Sequence, residues 1–253
     1  MKLVIEAISD KGIVPSANED MVLVGNDTLR DADKKYEFDF STYDYPFIIA
    51  VADGLGGHKS GAFASEYVVQ LIAKAVKELP QNLPAPVIKS YFTATSKSIH
   101  DCLLDEGKSN FAKKGMASTF SGVLFYSKKV FLIHAGDSRI YQYNSVKKEL
   151  KRLSRDHSLQ ELKGNNGALK TAIVNAFGAE KDIFIDFDEI TAKLNDGDYL
   201  FLCTDGLTKE LSDAEIADKL TLQDGYLKLT EEAKQHGGND NISLVVIKYM
   251  KFW

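Results

Sequence analysis

The stretch FIIAVADGLGGHKSG, Phe47 to Gly61, sets an unbroken apolar run against an aspartate, several glycines and one histidine. Apolar residues at every position read as a strand covered on both faces, since a sheet with one wet face would show alternation. The next segment, SGAFASEYVVQLIAKAVKEL, places Phe63, Tyr67, Leu71 and Ala75 at four-residue steps. Ser60 offers a cap and Pro80 a stop, so the segment spells a helix. The unit is therefore a buried strand that delivers an acid at its end and then turns into a helix. Taken alone, Asp53-Gly54 is a tight turn; whether it also holds something depends on the rest of the chain.

Similar runs recur, and strands are expected over 21–24, 47–52, 119–126, 130–135, 139–143, 149–153, 199–203 and 242–249. Lys128-Lys129 and Asn144-Ser145 separate consecutive runs by hairpin-sized gaps, which favours antiparallel pairing. A second helix is spelled by Val87, Tyr91, Thr95, Ile99 and Leu103, with Pro86 in its first turn and Gly107 at its end. Ser212 and Glu215 stand at capping-box spacing before a third, and LKLTEEAKQHGG reads as a fourth closed by Gly237. Helices must bury one stripe, and doubly apolar strands need cover on both sides. The expected class is α+β: a four-layer α-β-β-α sandwich, two central antiparallel sheets flanked by helices, as a single domain over 1–253. The polar and aromatic segment 26–46 is expected to be a long hairpin.

Composition excludes several classes. The formal net charge is -5 and the arginines are four, Arg30, Arg139, Arg152 and Arg155, so neither nucleic acid nor an anionic membrane surface is an expected partner. Two cysteines, Cys102 and Cys203, make no disulfide framework, and the opening MKLVIEAISDKG is too short and too soon acidic for a secretory signal. A cytoplasmic monomer is expected.

The acids fall at strand boundaries. Asp53, Asp137 and Asp205 come after the runs FIIAVA, VFLIHA and YLFLC, whereas Glu19-Asp20 and Asp240 precede MVLV and ISLVVIKY. In an antiparallel sheet one strand's end lies beside its neighbour's start, so suitable pairing gathers all of them at one edge. An acid at a strand end is ordinary surface chemistry, but coincidence across five sites is not. Crowded carboxylates repel unless a cation neutralises them, and oxygen-only ligands suit a hard ion, Mg²⁺ or Mn²⁺. Gly54 and Gly206 have no side chain to keep a backbone carbonyl from an ion. The alternative of a nucleotide-phosphate loop fails, because Walker A needs glycine where Asp53 and His58 stand.

With these blocks in hand, the chain resembles the metal-dependent protein phosphatases, the PPM or type 2C serine/threonine phosphatases, in a bacterial-type catalytic domain. The matching blocks occur in the family's order: SANEDMVLV, VADGLGGHKSGAFAS, GMASTFSGVLF, HAGDSRIYQY, LSRDHSL, NAFG, FLCTDGL and GGNDNISLVVI. The resemblance implies two or three Mn²⁺ or Mg²⁺ ions. Asp53 would bridge two of them, with the Gly54 carbonyl, Asp205, Asp240 and the Glu19-Asp20 pair as further ligands, and Asp137 at a third ion. His58 matches the general acid. Phosphoserine and phosphothreonine proteins are the implied substrates, attacked by a metal-activated water, with a kinase on the same targets as a further partner. One position departs: GIVPSANED carries Pro15 where the family places a phosphate-gripping arginine. Proline offers neither charge nor a donor, so weaker phosphate affinity is expected. A non-catalytic metal-binding module is the rival reading.

Overall fold

The computed structural model describes residues 1–40, 45–57, 59–164, 171–179 and 182–250. In chain order the elements are β1 (Lys2–Asp10), β2 (Met21–Val24), β3 (Asp27–Leu29), β4 (Ala32–Asp39), β5 (Phe47–Ala52), β6 (Gly54–Leu55), α1 (Lys59–Glu78) and α2 (Ala85–Ser109). Next come β7 (Ala117–Ser118), β8 (Phe120–Tyr126), β9 (Lys129–Ala135), β10 (Arg139–Asn144), β11 (Glu149–Arg152), α3 (Leu159–Lys163) and β12 (Asp186–Glu189). The chain closes through β13 (Tyr199–Cys203), α4 (Asp205–Thr208), α5 (Asp213–Leu220), α6 (Gly225–Gln235) and β14 (Ile242–Met250).

Two six-stranded sheets form, ordered β11-β10-β13-β14-β1-β4 and β12-β9-β8-β5-β2-β3, and every pairing is antiparallel. The four layers arise from where each strand's two faces go. On β5, Ile48, Ala50 and Ala52 join Val68, Ile72, Ile88 and Phe92 of α1 and α2, while Ile49 and Val51 face the space between the sheets. On β13, Leu200 and Leu202 point inward, and Phe201 and Cys203 meet Leu207, Ile216 and Leu229 of α4, α5 and α6. Both faces are dry, which is why these runs are apolar throughout. Burying a side chain of this kind is worth about 1.5–3 kcal/mol, so the three apolar layers together hold the stack.

The structure corrects two local expectations and adds a strand that was not expected. The opening segment forms β1, laid between β14 and β4 in the first sheet. Leu3, Ile5 and Ala7 are fully buried and alternate with half-exposed Lys2, Val4 and Glu6. Segment 26–46 does not close as one hairpin: β3 pairs with β2, then the chain crosses to the other sheet and β4 pairs with β1, Phe38 opposite Leu3. Ser60 does not cap α1; it lies inside the helix, and its Oγ donates to the Ala112 carbonyl at 2.7 Å. The capping box at α5 forms as expected between Ser212 and Glu215.

Candidate metal centre and active site

Register brings the acids together. Met21 pairs with Ala52, so Asp20 and Asp53 leave one end of the β2–β5 pair side by side. Phe120 pairs with Ala135, Arg139 with Cys203 and Cys203 with Leu244, which puts Asp137, Asp205 and Asp240 at the same end across both sheets. Residues separated by up to about two hundred positions thus share one rim because each lies one or two residues beyond a paired strand end.

The site's electrostatics are those of crowded, desolvated carboxylates. Asp20 is 1% exposed and its pKa is pushed up to about 7, chiefly by burial, against the hydrogen bond it accepts from Thr204 Oγ1 at 2.8 Å. Asp137 is likewise pushed up to about 7 by burial and by Asp205. Burial raises Asp53 well above the usual carboxylate range, with Asp20, Asp205, Asp137 and Asp240 adding repulsion in that order. Burial also raises Asp205, partly offset by the ammonium of Lys209. Oδ1 of Asp137 and Oδ1 of Asp205 are buried without a hydrogen-bond partner. A buried anionic oxygen with no donor is costly, so a donor set of this kind fits a hard divalent cation.

The acids ring the rim and do not make one tight sphere. Among the described residues, the His, Cys, Asp or Glu group whose ligand atoms all come within 4.8 Å of one another is Glu215 on α5, Glu232 on α6 and His236 just after it, and it includes none of these acids. Glu19 takes a separate place from Asp20. Its backbone N–H donates to Asn241 Oδ1 at 2.8 Å, and its carboxylate lies against the α-carbon of Gly61 at the start of α1. Gly54 is held where a Cβ would stand 2.1 Å from the Gly61 carbonyl oxygen and 2.6 Å from that of Glu19, so no larger residue fits the turn. Gly206 is packed as closely, 2.0 Å from Cβ position to the Asn241 oxygen. His58 lies outside the described residues.

Several supporting residues escaped the sequence reading. Thr119 Oγ1 accepts from the Asp53 N–H at 2.9 Å and bonds Ser138 Oγ at 2.8 Å, coupling the Asp53 turn to the Asp137 turn. Asn18 Oδ1 accepts from the Asp20 N–H, and Asn241 Nδ2 donates to the carbonyls of Lys11 and Ala17. Both asparagines lie inside the SANED and NDN blocks, so their position was visible although their role was not. The Asp137 turn is braced by His157, whose Nδ1 accepts from the Gly136 N–H at 3.2 Å and from Asn175 Nδ2 at 2.7 Å. With Nδ1 accepting, Nε2 carries the hydrogen toward Asp186 at 3.2 Å. Arg139 forks onto Asp156, Nε at 3.0 Å and Nη2 at 2.7 Å, tying the segment 154–158 to β10. Pro15 sits in an exposed loop that hangs from the Asp240 loop, since Ile13 and Val14 N–H both donate to the Gly238 carbonyl.

The fold is a two-sheet α+β sandwich, and comparison with known proteins shows its family. The model of the protein phosphatase 2C family matches residues 33–241, and the chain belongs to that family. It is similar to protein phosphatase PhpP of Streptococcus pneumoniae, 31% identical over 217 residues that cover 79% of this chain and 85% of the relative. It is also similar to serine/threonine phosphatase stp of Listeria innocua, 29% identical over 224 residues, 83% of this chain and 87% of that one. The solved serine/threonine phosphatase of S. agalactiae superposes with a TM-score of 0.78 at 26% identity, covering 98% of this chain and all of that one. The chain is accordingly a protein phosphatase. Among the described residues no helix is long and apolar enough to cross a membrane.

Proposed function

We propose that this chain hydrolyses phosphoserine and phosphothreonine in proteins, using Mn²⁺ or Mg²⁺ held by Glu19, Asp20, Asp53, the Gly54 carbonyl, Asp137, Asp205 and Asp240. The observation that carries the reading is the convergence of buried acids at one sandwich rim, two of them with an oxygen that no donor meets. When bound, such ions supply positive charge for phosphate oxygens and an activated water. The chain's own residues supply position. Thr204 and Thr119 hold Asp20 and the Asp53 turn, and His157 and Ser138 hold the Asp137 turn. His58, in the position of the family's general acid, is assigned to protonate the departing serine or threonine oxygen. Pro15 leaves the loop beside Asp240 without a phosphate-binding fork, so substrate contact is weaker and KM is raised more than kcat is lowered. Phosphoproteins are the substrates of this reading, and a cytoplasmic kinase acting on the same targets is its counterpart.

The deciding experiment is hydrolysis of p-nitrophenyl phosphate and of a phosphothreonine peptide, with Mn²⁺ and with EDTA, in the native protein and in Asp53→Ala and Asp205→Ala. Turnover that needs the metal and disappears in both variants supports the reading. Turnover that survives EDTA, or either substitution, rules it out; absence of any turnover with intact Mn²⁺ binding points to a non-catalytic module.

A further inference from the structure

Lys209 is placed by local geometry inside the acid rim. It comes four residues after Asp205 at the end of α4, with helical backbone angles and its own N–H bonded to the Asp205 carbonyl at 2.8 Å. One helical turn returns its side chain over Asp205. Nζ then stands 2.7 Å from Asp205 Oδ2 and 2.8 Å from Asp240 Oδ2, joining the acid that opens α4 to the one just before β14. The side chain is 56% exposed, so it reaches the pair from solvent and is free to leave in that direction. An exposed lysine paired with a surface acid contributes little. This one differs, because both partners belong to the proposed metal set, and Asp205 keeps its other oxygen buried and unpartnered.

Resting on that metal reading, we infer that Lys209 is a resident counter-cation that competes with the metal for Asp205 and Asp240. The ammonium engages Oδ2 of both carboxylates, and an ion shared by the same two oxygens would need that position. Two cations drawn to one pair of oxygens repel, so Lys209 would have to swing out for an ion to be held there. In the metal-free protein the lysine relieves repulsion between the two nearest acids. In the loaded protein its displacement lowers the net affinity for the ion. The device weakens metal binding through a residue that need not touch substrate.

The test is calorimetric titration of Mn²⁺ into the chelator-stripped full chain, with melting curves in EDTA. Lys209→Met is expected to bind Mn²⁺ about tenfold more tightly than the native protein, the equivalent of losing two part-exposed charge contacts to the competitor. It should also melt lower in EDTA. Lys209→Arg, which keeps the charge, should bind no more tightly than native. Should Lys209→Met fail to fold without metal, Lys209→Gln carries the same expectation. Native or weaker Mn²⁺ affinity on removing the charge overturns the inference. Asp205→Asn separates the two levels: if it binds Mn²⁺ as the native protein does, the metal-site reading fails, whereas loss there with an unchanged lysine variant removes the competition alone.

Discussion

Thr119→Val tests whether the Asp53 and Asp137 turns are one mechanical unit. The swap keeps shape and removes one hydroxyl. Thr119 is fully buried and Asp53 is 8% exposed, so the Asp53 N–H, now 2.9 Å from Thr119 Oγ1, would be left without its acceptor in a place water does not readily reach. An orphaned buried donor costs about 1–3 kcal/mol, and the 2.8 Å bond to Ser138 is lost as well. With about 2 kcal/mol as the centre of that range, a chain of this size should melt about 4–8 °C lower. Ser138→Ala is the internal control. It removes the same hydroxyl pair but leaves the Asp53 N–H its acceptor, so less than half the loss is expected. Calorimetry in EDTA reads the stability, and Mn²⁺-dependent turnover reads the placement of Asp53, which should fall further in Thr119→Val than in Ser138→Ala. A melting temperature within about 1 °C of native for Thr119→Val, or an equal loss in the serine variant, refutes the coupling.

Three further outcomes rest on particular contacts. Gly54→Ala would push a methyl to 2.1 Å from the Gly61 carbonyl oxygen, so the turn must open; a loss of roughly 3 kcal/mol or more and near-abolished turnover are expected by urea unfolding and phosphatase assay. Burial and neighbouring His157 hold His134 down to about 4, below its unfolded value. Its contribution is full above pH 6.5 and drains as pH falls toward 4, about 3 kcal/mol in all, so urea stability should drop across that window and His134→Gln should flatten the drop. Pro15→Arg, on the phosphatase reading, should lower KM for a phosphothreonine peptide with little change in kcat; an unchanged or higher KM counts against the missing-clamp argument.

The layers were legible because a dry strand face leaves a mark in sequence. Phe47 to Ala52 and Tyr199 to Cys203 are apolar at every position, and both proved to be covered twice. β1 was not legible, because its outer face at Val4 and Glu6 is half-exposed and its pattern is broken by Ile8 and Ser9, which are buried near the site. β4 was missed for a related reason. ADKKYEFD lies at a sheet edge with Lys34 and Lys35 exposed, and its aromatic side, Tyr36 and Phe38, is a partly buried margin of the inter-sheet core. The acids were legible as a pattern, since each sits just beyond a strong strand. Their supports were not: Thr119, Thr204 and Asn241 are small polar residues whose partners lie 66, 184 and 222 positions away, and single-chain periodicity carries no trace of such pairs.

The rim gathers several departures from local rules. The rim combines carboxylates raised by burial, acid oxygens without donors and glycines packed against carbonyls, each of which would be an error in a structural scaffold. Along the middle of these strands the faces are mostly apolar, and Arg139 on β10 is paired with Asp156. The rim is carried at the strand ends by three apolar layers packed between and outside the sheets. An acid placed one residue earlier on β5 would take the place of Ala52 in the layer packed against α1 and α2. The apolar end of β5 at Ala52 thus helps set Asp53 among the other acids, whose charges raise it.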